Sequence, residues 1–181
     1  MNDFLPKGKL DSSIKACPPL GKFVYGILTS CIIYDEMKNV NSLQRFLDAQ
    51  ETDYAIALSE IENGKKQSHW MWYIFPQIQG LGFSETSKFY AIKNIHEANE
   101  FMNHPVLGKR LIEISNALLH LETNDAHKIF GSPDDMKLHS SMTLFSSLPN
   151  TSPVFQNVLD KCFNGRKDGR TLQILDESGS A

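Results

Sequence analysis

The sequence predicts an all-α fold: a single compact domain of about seven to nine helices, preceded by a less ordered N-terminal extension. Three observations predict it. Apolar residues recur at helical spacing in most segments after Asn41. Glycine, proline and small polar residues punctuate those segments as helix stops and starts. No two alternating runs are joined by a hairpin turn, and no internal repeat is visible. The boundaries expected are an extension over residues 1–40, loosely docked or disordered, a helical domain over 41–176, and a disordered tail over 177–181.

The extension differs in style from the rest. It holds Pro6, Pro18 and Pro19, and its run through Ile32, Ile33 and Tyr34 is β-branched and aromatic, a composition that favours extended structure. Asn41 or Ser42 then caps a helix bearing Leu43, Phe46 and Leu47, continued by Tyr54, Leu58 and Ile61 and stopped at Asn63-Gly64. His69 to Phe75 is a short helical segment that Pro76 ends. Ser84 to Tyr90 and residues 95–102, with Ile95, Ala98 and Met102 on one side, are two further helices. His104-Pro105, Ser132-Pro133 and Ser152-Pro153 each put proline at a first helical position, where its missing N–H costs nothing. Behind them follow the stripes Leu107, Leu111, Ile114, Leu118, Leu121; Leu138, Met142, Phe145; and Phe155, Leu159, Cys162-Phe163, the last stopped by Gly165. A final short helix holds Thr171, Leu172 and Leu175.

At 181 residues the chain is long enough for one well-buried core. Its net charge of −3 is no electrostatic footprint for nucleic acid, and Lys65-Lys66 and Arg166-Lys167 read as solvated loop ends. The three cysteines, Cys17, Cys31 and Cys162, are odd in number and lack metal-ligand spacing, which points to a reducing compartment. Six scattered histidines form no zinc motif, so neither a metal nor a cofactor is expected. The apolar run Leu20–Tyr34 contains Lys22 and is too short to span a bilayer, so the expectation is a soluble, cytoplasmic protein without membrane partners.

Two dense segments carry a resemblance. The first is His69-Trp70-Met71-Trp72 with Phe75-Pro76-Gln77 and Gly80-Leu81-Gly82; the second is Ile129-Phe130-Gly131, Pro133-Asp134-Asp135, Lys137-Leu138 and Ser140 through Phe145. With Arg45-Phe46, Tyr90-Ala91-Ile92, His104 through Gly108, Asp168 and Thr171-Leu172, they make residues 43–175 resemble the domain-of-unknown-function family eighteen-ten, an all-helical family sometimes called Rv-like. The resemblance implies a compact helical domain and no established activity. Members often carry the label calpastatin. An inhibitor of that type is disordered and poor in aromatics, whereas this chain is 10% aromatic.

The same segments hold the candidate site. Trp70 and Trp72 are core residues or a stacking platform; two positions apart on a helix they point about 200° from each other, so one of them borders a cleft. His69 is a helix cap or a base near neutral pH. Gln77 satisfies a helix end or reads a ligand amide or base edge. Asp134 and Asp135 are first-turn acids on a helix dipole or a catalytic carboxylate pair. Asp134, Lys137 and Ser141 share one helix face, so Ser141 bonds back to its own helix or toward a ligand. Gly80-Leu81-Gly82 is too short to cradle a phosphate, but the helix opening at Ser84 offers free N–H groups to an anion.

The order of segments is faintly similar to the helical family acting on ADP-ribose adducts, a likeness of layout without a shared motif. The leading expectation is a small-molecule pocket for a nucleotide or ADP-ribose-like ligand. Trp70, Trp72, Gln77, Ser84, Lys137 and Ser141 would bind it, with His69, Asp134 and Asp135 as catalytic groups if the site is hydrolytic. The alternatives are a non-catalytic protein-binding module using the aromatic 69–77 segment, and a purely structural role for the same residues.

Overall fold

The structure, a computed structural model, describes the backbone of residues 24–179 and the side chains of residues 43–177. The chain divides into two compact units, Met1–Met37 and Lys38–Ala181, and the core and the candidate cleft belong to the second. The expected extension lies outside the described residues over 1–23.

Among the described residues every named element is a helix: α1 (Val24–Glu62), α2 (Met71–Ile74), α3 (Glu85–Phe89), α4 (Ile95–Asn103), α5 (Leu107–His120), α6 (Ala126–Phe130), α7 (Asp134–Ser146), α8 (Val154–Phe163) and α9 (Gly169–Gly179). The one β feature among them is an isolated parallel bridge between Ile78 and Ile92. The all-α class and the helix number therefore agree with the sequence.

Several boundaries differ. The backbone of 24–40 is already part of α1, so neither Asn41 nor Ser42 caps a helix. β-propensity is a weak, context-dependent preference, and from Ile27 onward no glycine or proline interrupts the helix before Gly64. Gly64, at φ +70°, ends α1 as expected; its N–H bonds to the carbonyl of Ile61 and that of Lys65 to the carbonyl of Glu60. Pro133 and Pro153 stand one residue before their helices; no side chain caps α7, whereas Ser152 Oγ accepts from the Val154 N–H at 3.4 Å at the start of α8. At α5 the N-cap position is Val106 and Pro105 stands two residues before the helix, while His104 Nδ1 accepts from the N–H groups of Val106 and Leu107 at 3.2 and 3.4 Å. The α4 face turned inward carries Glu97, Ala98 and Phe101, while Ile95 is exposed. α6, capped by Asp125, was not legible because five residues show no helical period. α9 runs into the expected tail, where nothing before Gly179 interrupts a helix.

Burial explains the packing. Leu107, Leu111, Ile114 and Leu118 of α5 and Leu138, Met142 and Phe145 of α7 are all buried. α7 is the hub, packing against α2, α6, α8 and α9, while α5 packs against α4 and α8. A chain of ring contacts crosses the centre: Phe46 lies edge-on to Phe101 at 5.1 Å, and Phe101 touches Phe145 at 5.5 Å. The part-buried pair Arg45–Glu97, at 2.9 Å, ties α1 to α4, and Arg45 also donates to the carbonyl of Ala91.

Candidate functional site

The aromatic run divides along the line its helical spacing dictates. Trp70, Met71, Tyr73, Ile74, Phe75 and Pro76 are buried, whereas Trp72 and Gln77 are only partly so. Trp70 belongs to the core. Its ring packs on Phe75 and Phe130, and its indole N–H donates to Glu60 Oε2 at 2.8 Å. Glu60 also accepts from the N–H groups of Gln67 and Ser68 and from the Ser68 hydroxyl. Burial pushes the Glu60 carboxyl up, but these donors outweigh it and hold the pKa at about 2. Nothing in the sequence flagged Glu60, which looks like one more charge near a helix end.

Trp72 opens onto a cleft of about 400 Å³. Its walls come from Gln77 and the Leu81–Ser84 turn on one side, from Pro133, Met136, Lys137 and Ser140 of the α7 region on another, and from Asp168 and Arg170 at the start of α9. Gly82 lies so close to α3 that an added Cβ would stand 2.5 Å from that of Ser87, which keeps the turn tight against the helix. Phe83 and Met136 stand at the cleft, 88% and 68% exposed.

Four of the expected ligand-binding residues, Trp72, Gln77, Ser84 and Lys137, thus line one cavity. The others do not. Trp70 and Ser141 are fully buried. Ser141 shares the core stripe of α7 with Leu138, Met142 and Phe145, and its hydroxyl has no partner among the described residues, neither helix carbonyl nor cleft. The Ser84 hydroxyl accepts from the Ser87 N–H at 3.1 Å, so this cap serves its own helix. With five residues α3 has too few aligned peptides to bind an anion by its end.

The expected catalytic trio is also dispersed. His69 is exposed and outside the lining. Asp135 turns toward α6, where His127 Nδ1 lies 3.0 Å from its Oδ2. Asp134 is clamped between two lysines, Lys66 at 2.8 Å and Lys137 at 2.7 Å. Burial pushes its carboxyl up, but the two ammonium groups win and hold it below its ordinary range. Each lysine also sits over an indole, Lys137 at 4.3 Å from the ring centre of Trp72 and Lys66 at 5.2 Å from that of Trp70. Two ammoniums share one carboxylate, so this cluster carries one surplus positive charge beside the cleft.

The residues that sequence reasoning missed line the same cavity. Asp168 Oδ2 accepts from Ser140 Oγ at 3.1 Å and from the N–H and hydroxyl of Thr171 at 2.9 and 2.5 Å. Its own N–H donates to Thr143 Oγ1 at 2.8 Å, and Thr143 donates to the carbonyl of His139. Burial raises the Asp168 carboxyl, but the donors from Thr171 and Ser140, with His139 nearby, hold it low and ionised. The Asp168…Thr171 spacing is an N-cap signature that could have marked it. Arg170, exposed, donates to Gln173 Oε1 at 3.2 Å and adds a second cation to the cleft. Among the described residues no cluster of His, Cys, Asp and Glu could hold a metal ion, and no helix is long and apolar enough to cross a membrane.

No curated protein matches the chain. It is similar to the conserved hypothetical protein Rv1873 from Mycobacterium tuberculosis, a crystal structure, at 39% identity with a TM-score of 0.72, over 74% of this chain and 96% of that one. Residues 40–175 match the family described as "Protein of unknown function (DUF1810)", and on that match the chain belongs to this family.

Proposed function

We propose that the chain binds a small ligand of the nucleotide or ADP-ribose-like class in the cleft beside Trp72. The observation that carries the reading is the composition of that one cavity. An indole and an exposed phenyl ring, Trp72 and Phe83, stand with an amide, Gln77, and two cations, Lys137 and Arg170. Its volume of about 400 Å³ falls in the range of small-molecule sites. Flat rings stack on aromatic faces, and phosphate oxygens suit a guanidinium and an ammonium. The reading is of binding rather than hydrolysis. Asp134 and Asp135 are engaged with Lys66, Lys137 and His127, and His69 stands outside the cavity, so none is poised to activate water.

A protein-binding module built on residues 69–77 is the weaker reading, because most of that segment's aromatic area is already buried against the core.

The test is the thermal midpoint of the full chain with AMP, ADP-ribose or inorganic phosphate, beside Phe83→Ala and Arg170→Ala. Both positions are exposed, so the variants should melt like the parent. A nucleotide at one hundred times its Kd stabilises by about 2.7 kcal/mol, which moves the midpoint by several degrees. A rise with a nucleotide in the parent, reduced in both variants, supports the reading; no rise with any of the three overturns it.

A further inference from the structure

We infer that Asp168 is the specificity-determining acceptor of this cleft, reading a pair of neighbouring hydroxyl groups on the ligand, as on a ribose. The inference rests on the binding reading above and adds the ligand feature that Asp168 selects. A helix cap needs one side-chain oxygen accepting one or two N–H bonds. Asp168 is held far more firmly. The N–H and hydroxyl of Thr171 both donate to Oδ2, the Ser140 hydroxyl shares its one proton between Oδ2 and the Met136 carbonyl oxygen at 3.1 Å each, and the Asp168 N–H is fixed by Thr143. Ser140, Thr143 and Thr171 are all buried, so the carboxylate is anchored in packed structure on two helices, α7 and α9. Among the described residues Oδ1 receives no donor and no cation pairs with the group, while the residue itself lines the cavity.

An oriented carboxylate with one oxygen to spare suits neutral donors. A phosphate would be repelled, so the anionic end of a ligand belongs on Lys137 and Arg170 and its hydroxyl end on Asp168. Two adjacent hydroxyls can share one carboxylate oxygen, each bond being charge-assisted.

Calorimetric titration of the full chain with AMP and with 2′,3′-dideoxy-AMP tests this, for the parent and for Asp168→Asn. Asparagine caps helices as well as aspartate does, so the amide oxygen can keep the Thr171 and Ser140 bonds while the spare oxygen becomes an NH₂. The parent should bind AMP at least about tenfold more tightly than the dideoxy nucleotide. In Asp168→Asn that preference should fall to about one, because the lost negative charge acts alike on the phosphates of both nucleotides while the hydroxyl acceptor is gone. Equal affinities in the parent would overturn the role of Asp168 while leaving the nucleotide reading intact, as would an equal loss for both nucleotides in the variant. Binding of neither nucleotide would overturn the reading beneath it as well. If Asp168→Asn melts earlier than the parent, the comparison of the two nucleotides on the parent decides alone.

Discussion

Replacing Glu60 by alanine should cost the fold about 3–5 kcal/mol, far more than a surface glutamate. The figure is built from the four groups that donate to its carboxylate. The Trp70 indole N–H, at 2.8 Å, belongs to a wholly buried side chain and would be left without an acceptor. An orphaned buried donor costs about 1–3 kcal/mol. The N–H groups of Gln67 and Ser68, at 2.7 and 3.0 Å, and the Ser68 hydroxyl are only partly buried, so water replaces some of what they lose. Bonds to a charged acceptor are worth about 1.5–3 kcal/mol each when intact, and water recovery reduces the three to about 2 kcal/mol together. The assay is urea unfolding followed by tryptophan fluorescence. Charge can be separated from shape with Glu60→Gln. Because the folded pKa of about 2 lies below the ordinary glutamate value, folding favours the ionised form. That contribution is complete above about pH 5 and is lost as pH falls toward about 2. Glu60→Gln should therefore flatten the fall in stability across that window. A loss below about 1 kcal/mol for Glu60→Ala, or an unchanged acid profile for Glu60→Gln, refutes the reasoning.

Two further outcomes are expected from the packing. Gly108→Ala places a Cβ 1.9 Å from the Met102 carbonyl oxygen, a backbone atom that cannot swing aside, so α4 and α5 must separate. A loss of about 3 kcal/mol or more is expected in the same urea titration, and a midpoint within error of the parent would refute the contact. Trp70→Phe strips Glu60 of a donor and opens a gap in the core, costing about 3 kcal/mol, whereas Trp72→Phe at the cleft edge should cost under about 1 kcal/mol. Equal losses in thermal unfolding would place both indoles in the core.

Much of the helical layout was legible because amphipathic helices leave a mark in the chain. The stripes Leu107-Leu111-Ile114-Leu118 and Leu138-Met142-Phe145 lie where the period put them, and Gly64 stops α1 as its neighbours implied. Short or locally ambiguous elements were not. α6 is too brief for a period, and the β-branched run before residue 40 follows α1 against its propensity. Of the expected site, Trp72, Gln77, Ser84 and Lys137 were within reach because their unusual density in short windows is a local property.

By itself, then, the sequence determined an all-α domain, the spacing that sends Trp70 and Trp72 to different surroundings, and the segments from which a cleft is built. Only the tertiary structure decided which polar groups are committed to the fold. Asp134 is paired with a lysine sixty-eight positions earlier, and Glu60 is engaged by the loop that seats Trp70. Asp168, by contrast, just before α9, is brought into the lining of the same cavity as Trp72. Hydrophobic period is written between near neighbours, but the partner of a charge is set by the packing of helices far apart in the chain, and that is where the identity of a site resides.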